Sequence, residues 1–359
     1  VVLGFTPFLE SLNYNIIFAG TDEFKSLVTN AGYDFISCNY VELFFDAIPK
    51  SFKEFKEIFA ISIIYKSENK RYKTFVLAIE KLKELIITTK ADAIFVDSIL
   101  SVFSIIIKCI SPDNLILIEI MLSRYKAKLS PPLNTSYIPN QGIGARLQVL
   151  LLWYLDSAKF KTATFKKKIS YFGEDYKSLL RRWLKENNHK YSHIVNRKVA
   201  FGYLPKDTTQ ILLPSQSFEF PWHKPFKFQH YIGPIINIID KVIPPAFFAI
   251  KKDIENKKAL GKSVIYCSLG SISYVHNKQC ITFLEKVVSI FEIQNNMILI
   301  LSTGPEFYSY FKSVVNPNIY VFEWVPQIPI LSLSDLMITH GGINSITECV
   351  LNSVPMLVY

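Results

Sequence analysis

The chain has 359 residues, half of them hydrophobic and only 19% charged, with a formal net charge of +10. Such a composition excludes a disordered polymer, which needs low hydropathy and high charge, and 13 glycines with 18 prolines exclude a collagen-like repeat. At about 150 residues per domain, the length suggests two domains. Residues 15–19 read as a buried strand, 22–30 as a helix ended by Gly32, and 33–37 as a second strand. A long helix is expected over 73–90, where Phe75, Ile79, Leu82 and Ile86 step by four, three and four. Residues 93–96 form an apolar strand that ends in Asp97. Strand and helix in alternation argue for a parallel sheet with crossover helices.

The middle of the chain is less regular. Prolines at 131, 132 and 139 mark a loop, 160–198 reads as mostly helical and basic, and 199–204 and 210–213 as short strands. The Pro244-Pro245 pair and the charged run 251–258 suggest a connector over 241–260. A second α/β unit follows, with strands at 263–268, 297–302, 319–323 and 336–339 and helices at 279–294 and 344–351. The expected domains are therefore 1–240 and 261–359.

The mean hydropathy is +0.22, which raises the question of a membrane span. The best candidates, 93–110 and 144–155, are interrupted by charges or too short for the roughly 20 apolar residues a span requires. The five cysteines, Cys38, Cys109, Cys267, Cys280 and Cys349, form no CxxC pair. They read as buried, reduced thiols of a cytoplasmic protein.

The segment that carries chemistry runs from Trp324 to Met356. A buried strand ends at His340, and Gly341 and Gly342 permit a tight turn with close backbone approach. A helix opens next, with Asn344 or Ser345 available to cap it. Free N–H groups and the helix dipole favour an anion such as a phosphate there. Glu348 lies one turn beyond Asn344 on the same face, where its carboxylate can accept hydrogen bonds from ribose hydroxyls. Trp324 offers a flat surface to a base. Alone, the Gly-Gly pair is an ordinary strand-to-helix turn; the combination with Trp324, Gln327, His340, Ser345 and Glu348 in this order is far more specific.

This segment resembles the nucleotide-sugar signature of the UDP-glycosyltransferase family. The resemblance implies a GT-B fold: α/β, with two Rossmann-like domains whose parallel sheets face each other across a cleft. It implies transfer of a hexosyl group, by family default glucose, from a UDP-sugar to a small lipophilic acceptor, with inversion and without a metal or other cofactor. The segments 131–139 and 218–234 look most like bacterial members that act on carotenoids, macrolides or polyphenols. Position by position, Trp324 matches the residue stacked on uracil and Val325 the residue whose backbone pairs with its edge. Gln327 and Glu348 match the ribose ligands. His340, Asn344 and Ser345 match residues at the pyrophosphate, Gly342 gives backbone room, and Ser271 matches a serine that reaches a phosphate. Ile343 departs from the tryptophan common in plant members. Asp97 matches the aspartate that orients the family's general-base histidine. That histidine has no counterpart here. The resemblance implies a chain that begins inside the family's first helix and stops before its sugar-gripping acidic-plus-glutamine pair, hence an incomplete second domain and an inactive fragment.

Other signals are weaker. Glu186, His189 and His193 share a helical face, but a solvated helix end accounts for them better than a metal. Residues 151–230 hold 15 basic and 6 acidic residues, including Lys166-Lys167-Lys168 and Arg181-Arg182. Three readings stay open: a solvated face, contact with an anionic membrane surface at its inner face, and nucleic-acid binding, for which no recognised module is present. A nucleotide-sugar epimerase of GT-B layout and a non-catalytic sugar-nucleotide-binding protein are the alternative functions.

Overall fold

The computed structural model describes residues 4–39, 61–127, 129–132, 135–170, 175–196, 199, 202–235, 245–270 and 277–359. They belong to two compact units, Val1–Ile235 and Ile236–Tyr359.

The first unit contains β1 (Ile17–Gly20), β2 (Asp34–Ser37), β3 (Ile94–Asp97), β4 (Leu115–Glu119), β5 (Val195–Asn196), β6 (Leu204–Pro205), β7 (Thr209–Leu212) and β8 (Gln229–Tyr231). Its main sheet has the order β3-β4-β7-β8 and is parallel throughout. A parallel β1-β2 pair and an antiparallel β5-β6 pair form separate two-stranded sheets. The predicted helix over 73–90 is the end of a longer helix, Ile61–Thr89. Its spacing does what periodicity requires: Phe75, Ile79 and Leu82 enter the core with Ile105, Ile106, Leu117, Leu180 and Leu184.

The second unit holds β9 (Ser263–Ser268), β10 (Met297–Ser302), β11 (Ile319–Phe322), β12 (Leu336–Thr339) and β13 (Met356–Val358). All five are parallel, in the order β11-β10-β9-β12-β13. Helices cover both faces, which is why the strands are near-continuous apolar runs. Side chains divide by the two-residue pleat. Ile265, Cys267, Leu299, Leu301 and Ile338 pack with the helix Asn277–Glu292 and with Phe307 and Phe311. Val264, Tyr266, Ile298, Ile300 and Met337 pack with Phe247, Ile254, Ile330, Leu331 and Cys349.

One expectation is corrected. Within 241–260, residues Pro245–Ala259 form a helix of the second unit rather than a connector. Phe247 and Ile254 are buried and Ile250 packs beside them; this three-to-four spacing gives the lysine-rich run an inward stripe. Residues 241–244 lie outside the described residues. Among the described residues no helix is long and apolar enough to cross a membrane.

Candidate functional site

The order of the second sheet fixes where a ligand is bound. β9 starts at the centre, the chain moves outward through β10 and β11, then crosses to β12 and β13 on the other side. The order reverses between β9 and β12, and in doubly wound sheets the crevice outside the carboxyl ends at such a point takes the ligand. Ser268 and Thr339, the last residues of these strands, are register partners.

Both strands leave the sheet through glycines. Gly270 and Gly341 have φ of +75° and +77°, a region that favours glycine. The His340 imidazole fills the space between the two turns. A Cβ on Gly342 would come within 2.6 Å of His340 Nε2, and one on Gly270 would overlap the ring. The ring keeps one side open to solvent, and the partial loss of water against the two turns lowers its pKa below the ordinary histidine value. Neutral His340 therefore has one N–H to donate and one nitrogen to accept.

The helix Ile343–Leu351 opens directly after His340-Gly341-Gly342. Its N-cap is Gly342, in extended conformation and with no side-chain cap. Neither Asn344 nor Ser345 caps the helix, because both lie inside its first turn rather than before it. The orphan amides of that turn, and the positive end of the dipole, are thus left to a ligand. Asn344 is exposed and Ser345 half-buried.

Gln327 joins these parts. It is the first residue of the helix Gln327–Leu331. Its Nε2 donates to Glu348 Oε2 at 2.6 Å and to Ser345 Oγ at 3.2 Å. Its Oε1 accepts from the Tyr266 hydroxyl at 3.3 Å. Tyr266 sits in the middle of β9, 1% exposed, and burial pushes its pKa up. Just before Gln327, Val325 is buried in the core whereas Trp324 is 56% exposed. A flat indole is thereby presented to solvent on a fixed backbone.

The structure brings Gln327, His340, Gly342, Asn344, Ser345 and Glu348 to one end of the sheet. Ser271 lies outside the described residues. Asp97 belongs to the other unit, at the carboxyl end of β3, where its Oδ1 accepts from the Ile99 amide at 2.9 Å. Sequence reasoning missed its neighbours. Glu119, which ends β4, pairs with Arg124 (Nε to Oε2, 2.8 Å), both buried. Arg124 Nη2 also donates to the Ser98 carbonyl at 3.2 Å, tying it to the turn after Asp97. Loss of water pushes the Glu119 carboxyl up and Arg124 opposes it. The signal was a glutamate closing the apolar run Leu-Ile-Leu-Ile, with an arginine five residues on.

Among the described residues no group of three His, Cys, Asp or Glu side chains is placed to hold a metal. Glu186 instead accepts from the Tyr72 hydroxyl and from Arg182 Nε, and His189 stacks on Trp183.

Residues 33–359 match the family described as "UDP-glucoronosyl and UDP-glucosyl transferase". The chain belongs to this family. An uncharacterized UDP-glucosyltransferase of Bacillus subtilis (strain 168), YdhE, is 30% identical over 110 residues, 31% of this chain and 27% of that protein. Mouse UDP-glucuronosyltransferase 3A2 is 29% identical over 134 residues, 35% of this chain and 23% of that one. The chain thus aligns with about a quarter of the length of these curated relatives. Among solved structures, the glycotransferase of kitacinnamycin superposes with a TM-score of 0.60 at 17% identity, covering 99% of this chain and 76% of that one. The calicheamicin glycosyltransferase CalG4 gives 0.54 at 14%, covering 99% and 75%. At such identities the likeness establishes the fold, which is the GT-B α/β fold with parallel sheets. In this family member the Gly-flanked histidine and the Gln327–Glu348 pair occupy the sheet end that the strand order selects.

Proposed function

We propose that the protein is an inverting glycosyltransferase that moves a hexosyl group, glucose in the first instance, from a UDP-sugar to a hydroxyl of a small lipophilic acceptor of carotenoid, macrolide or polyphenol type. The observation that carries this reading is the convergence of an uncapped helix N-terminus, His340 set against Gly270 and Gly342, and the Gln327–Glu348 pair at the β9–β12 switch point. In this reading the pyrophosphate meets the amides after Gly342, with His340, Asn344 and Ser345 around it. Gln327 and Glu348 take the ribose hydroxyls, Trp324 stacks on uracil and the Val325 backbone meets the base edge. Ser271 is assigned to a phosphate on the family resemblance alone.

Transfer then follows in-line displacement. The acceptor oxygen forms a bond to the anomeric carbon as the bond to the UDP oxygen breaks, the electron pair leaves on UDP, and the acceptor proton passes to a general base. Asp97 is assigned the role of orienting that base. One relative in fold supports the ligand classes: a spinosyn rhamnosyltransferase, SpnG, was solved with thymidine diphosphate (TM-score 0.51) and with spinosyn aglycone (0.50). We assign the protein to the cytoplasm, a reading supported by the buried thiols of Cys267 and Cys349.

Calorimetric titration with UDP and UDP-glucose tests the proposal. Saturable binding that Gln327→Ala and Glu348→Ala weaken is expected. Absence of UDP binding by the folded chain overturns it.

A further inference from the structure

The helix Ile143–Ser170 packs on its own unit through one stripe. Ala145 and Val149 are buried, the Trp153 indole donates to the Ser130 carbonyl at 2.7 Å, and Ser157 Oγ accepts from Lys126 Nζ at 2.8 Å. Positions 145, 149, 153 and 157 lie along one face, four residues apart. On a surface helix the opposite face is ordinarily polar. Here it carries Ile143, Leu147, Leu150, Leu151 and Tyr154, with 77%, 63%, 65%, 56% and 72% of their surface exposed. A contiguous apolar strip of this kind marks a contact surface. The next turns bring Lys159, Lys161 and Lys166, all exposed, and the strip runs into the segment 151–230 with its 15 basic and 6 acidic residues.

We propose that this helix rests on an anionic lipid bilayer. Its leucines and Ile143 enter the acyl boundary, Tyr154 sits at headgroup level, and the lysines meet lipid phosphates. Charge selects this occupant. A second copy docked by two-fold symmetry would set the same basic segment on both sides of one interface, whereas anionic headgroups complement it. The helix lies on the membrane and does not cross it, since its charged residues fall within any stretch long enough to span.

Flotation with vesicles of phosphatidylcholine alone and of phosphatidylcholine mixed with phosphatidylserine tests the proposal. The chain is expected to float with the mixed vesicles and to be released as salt is raised. Combined Leu147→Glu, Leu150→Glu and Leu151→Glu is expected to abolish flotation while circular dichroism and UDP affinity stay as in the wild type. Each of Lys159→Gln, Lys161→Gln and Lys166→Gln should lower partitioning about fivefold. Wild-type protein that fails to float with mixed vesicles, or binds phosphatidylcholine alone equally well, overturns the proposal. So does a wild-type dimer, seen by sedimentation, that the leucine substitutions dissociate without any lipid binding. UDP titration of the same samples reads the nucleotide site separately, so failure of one proposal is not mistaken for failure of the other.

Discussion

Gln327 Nε2 donates to Glu348 Oε2 across 2.6 Å, joining the first residue of one short helix to the second turn of another. The pair holds an amide and a carboxylate side by side, as needed to grip two adjacent hydroxyls. Glu348→Ala removes the charged acceptor and is expected to weaken UDP binding by about 1.5–3 kcal/mol. Comparison of UDP with 2′-deoxy-UDP by calorimetry checks the role. The wild type should prefer UDP and the variant should lose that preference; unchanged affinity would remove Glu348 from the ribose.

The tight approach of Gly270 to His340 gives a second prediction. Gly270→Ala adds a methyl where φ is +75° and where the imidazole already stands. A cost of about 1–3 kcal/mol in the stability of the second unit is expected, together with displaced His340 and weaker UDP binding. Urea denaturation and UDP titration measure the two effects.

His340 also predicts a pH dependence. Its pKa in the folded unit is lowered from 6.5, so the unfolded chain takes up the proton first as pH falls. The contribution of this residue to stability is complete above the ordinary histidine value and is lost as pH falls through the folded value. The urea midpoint of the second unit should drop between about pH 7.5 and 5.5, and less so in His340→Gln. Identical pH profiles for the two proteins would refute the linkage.

In the first unit, Arg124→Met leaves Glu119 buried without its cation. Breaking such a pair from one side costs about 3–5 kcal/mol, whereas replacing both partners by apolar residues costs far less. Thermal unfolding of Arg124→Met against the double variant Glu119→Leu with Arg124→Met should show that order.

In a catalytically active form of the protein, Asp97→Asn should lower turnover more than UDP affinity. UDP-glucose consumption with a polyphenol acceptor, measured beside UDP titration, decides it; equal losses in both would count against its assignment to the transfer step.

Much of the second unit was legible in the chain. The expected strands 297–302 and 336–339 coincide with β10 and β12, since buried parallel strands are short apolar runs with turn residues at both ends. The helix Pro245–Ala259 was hidden by a Pro-Pro pair and a lysine run, although Phe247, Ile250 and Ile254 carry its inward stripe. The cap at Gly342 was missed for a local reason: side chains that look like caps at 344 and 345 lie past the point where the backbone turns helical. Tyr266–Gln327 and Glu119–Arg124 depend on which strands become neighbours and on where a loop returns, and no local pattern encodes that.

The strand order of the second sheet has a kinetic consequence. β9 and β12 are adjacent although β10 and β11 lie between them in the chain. Half of the nucleotide site can therefore be in place, on β9, long before its other half arrives. Pairings so distant in sequence are slow to form, so the ability to bind UDP should emerge only in the closing phase of folding, after β10 has joined β9 and β11 has joined β10.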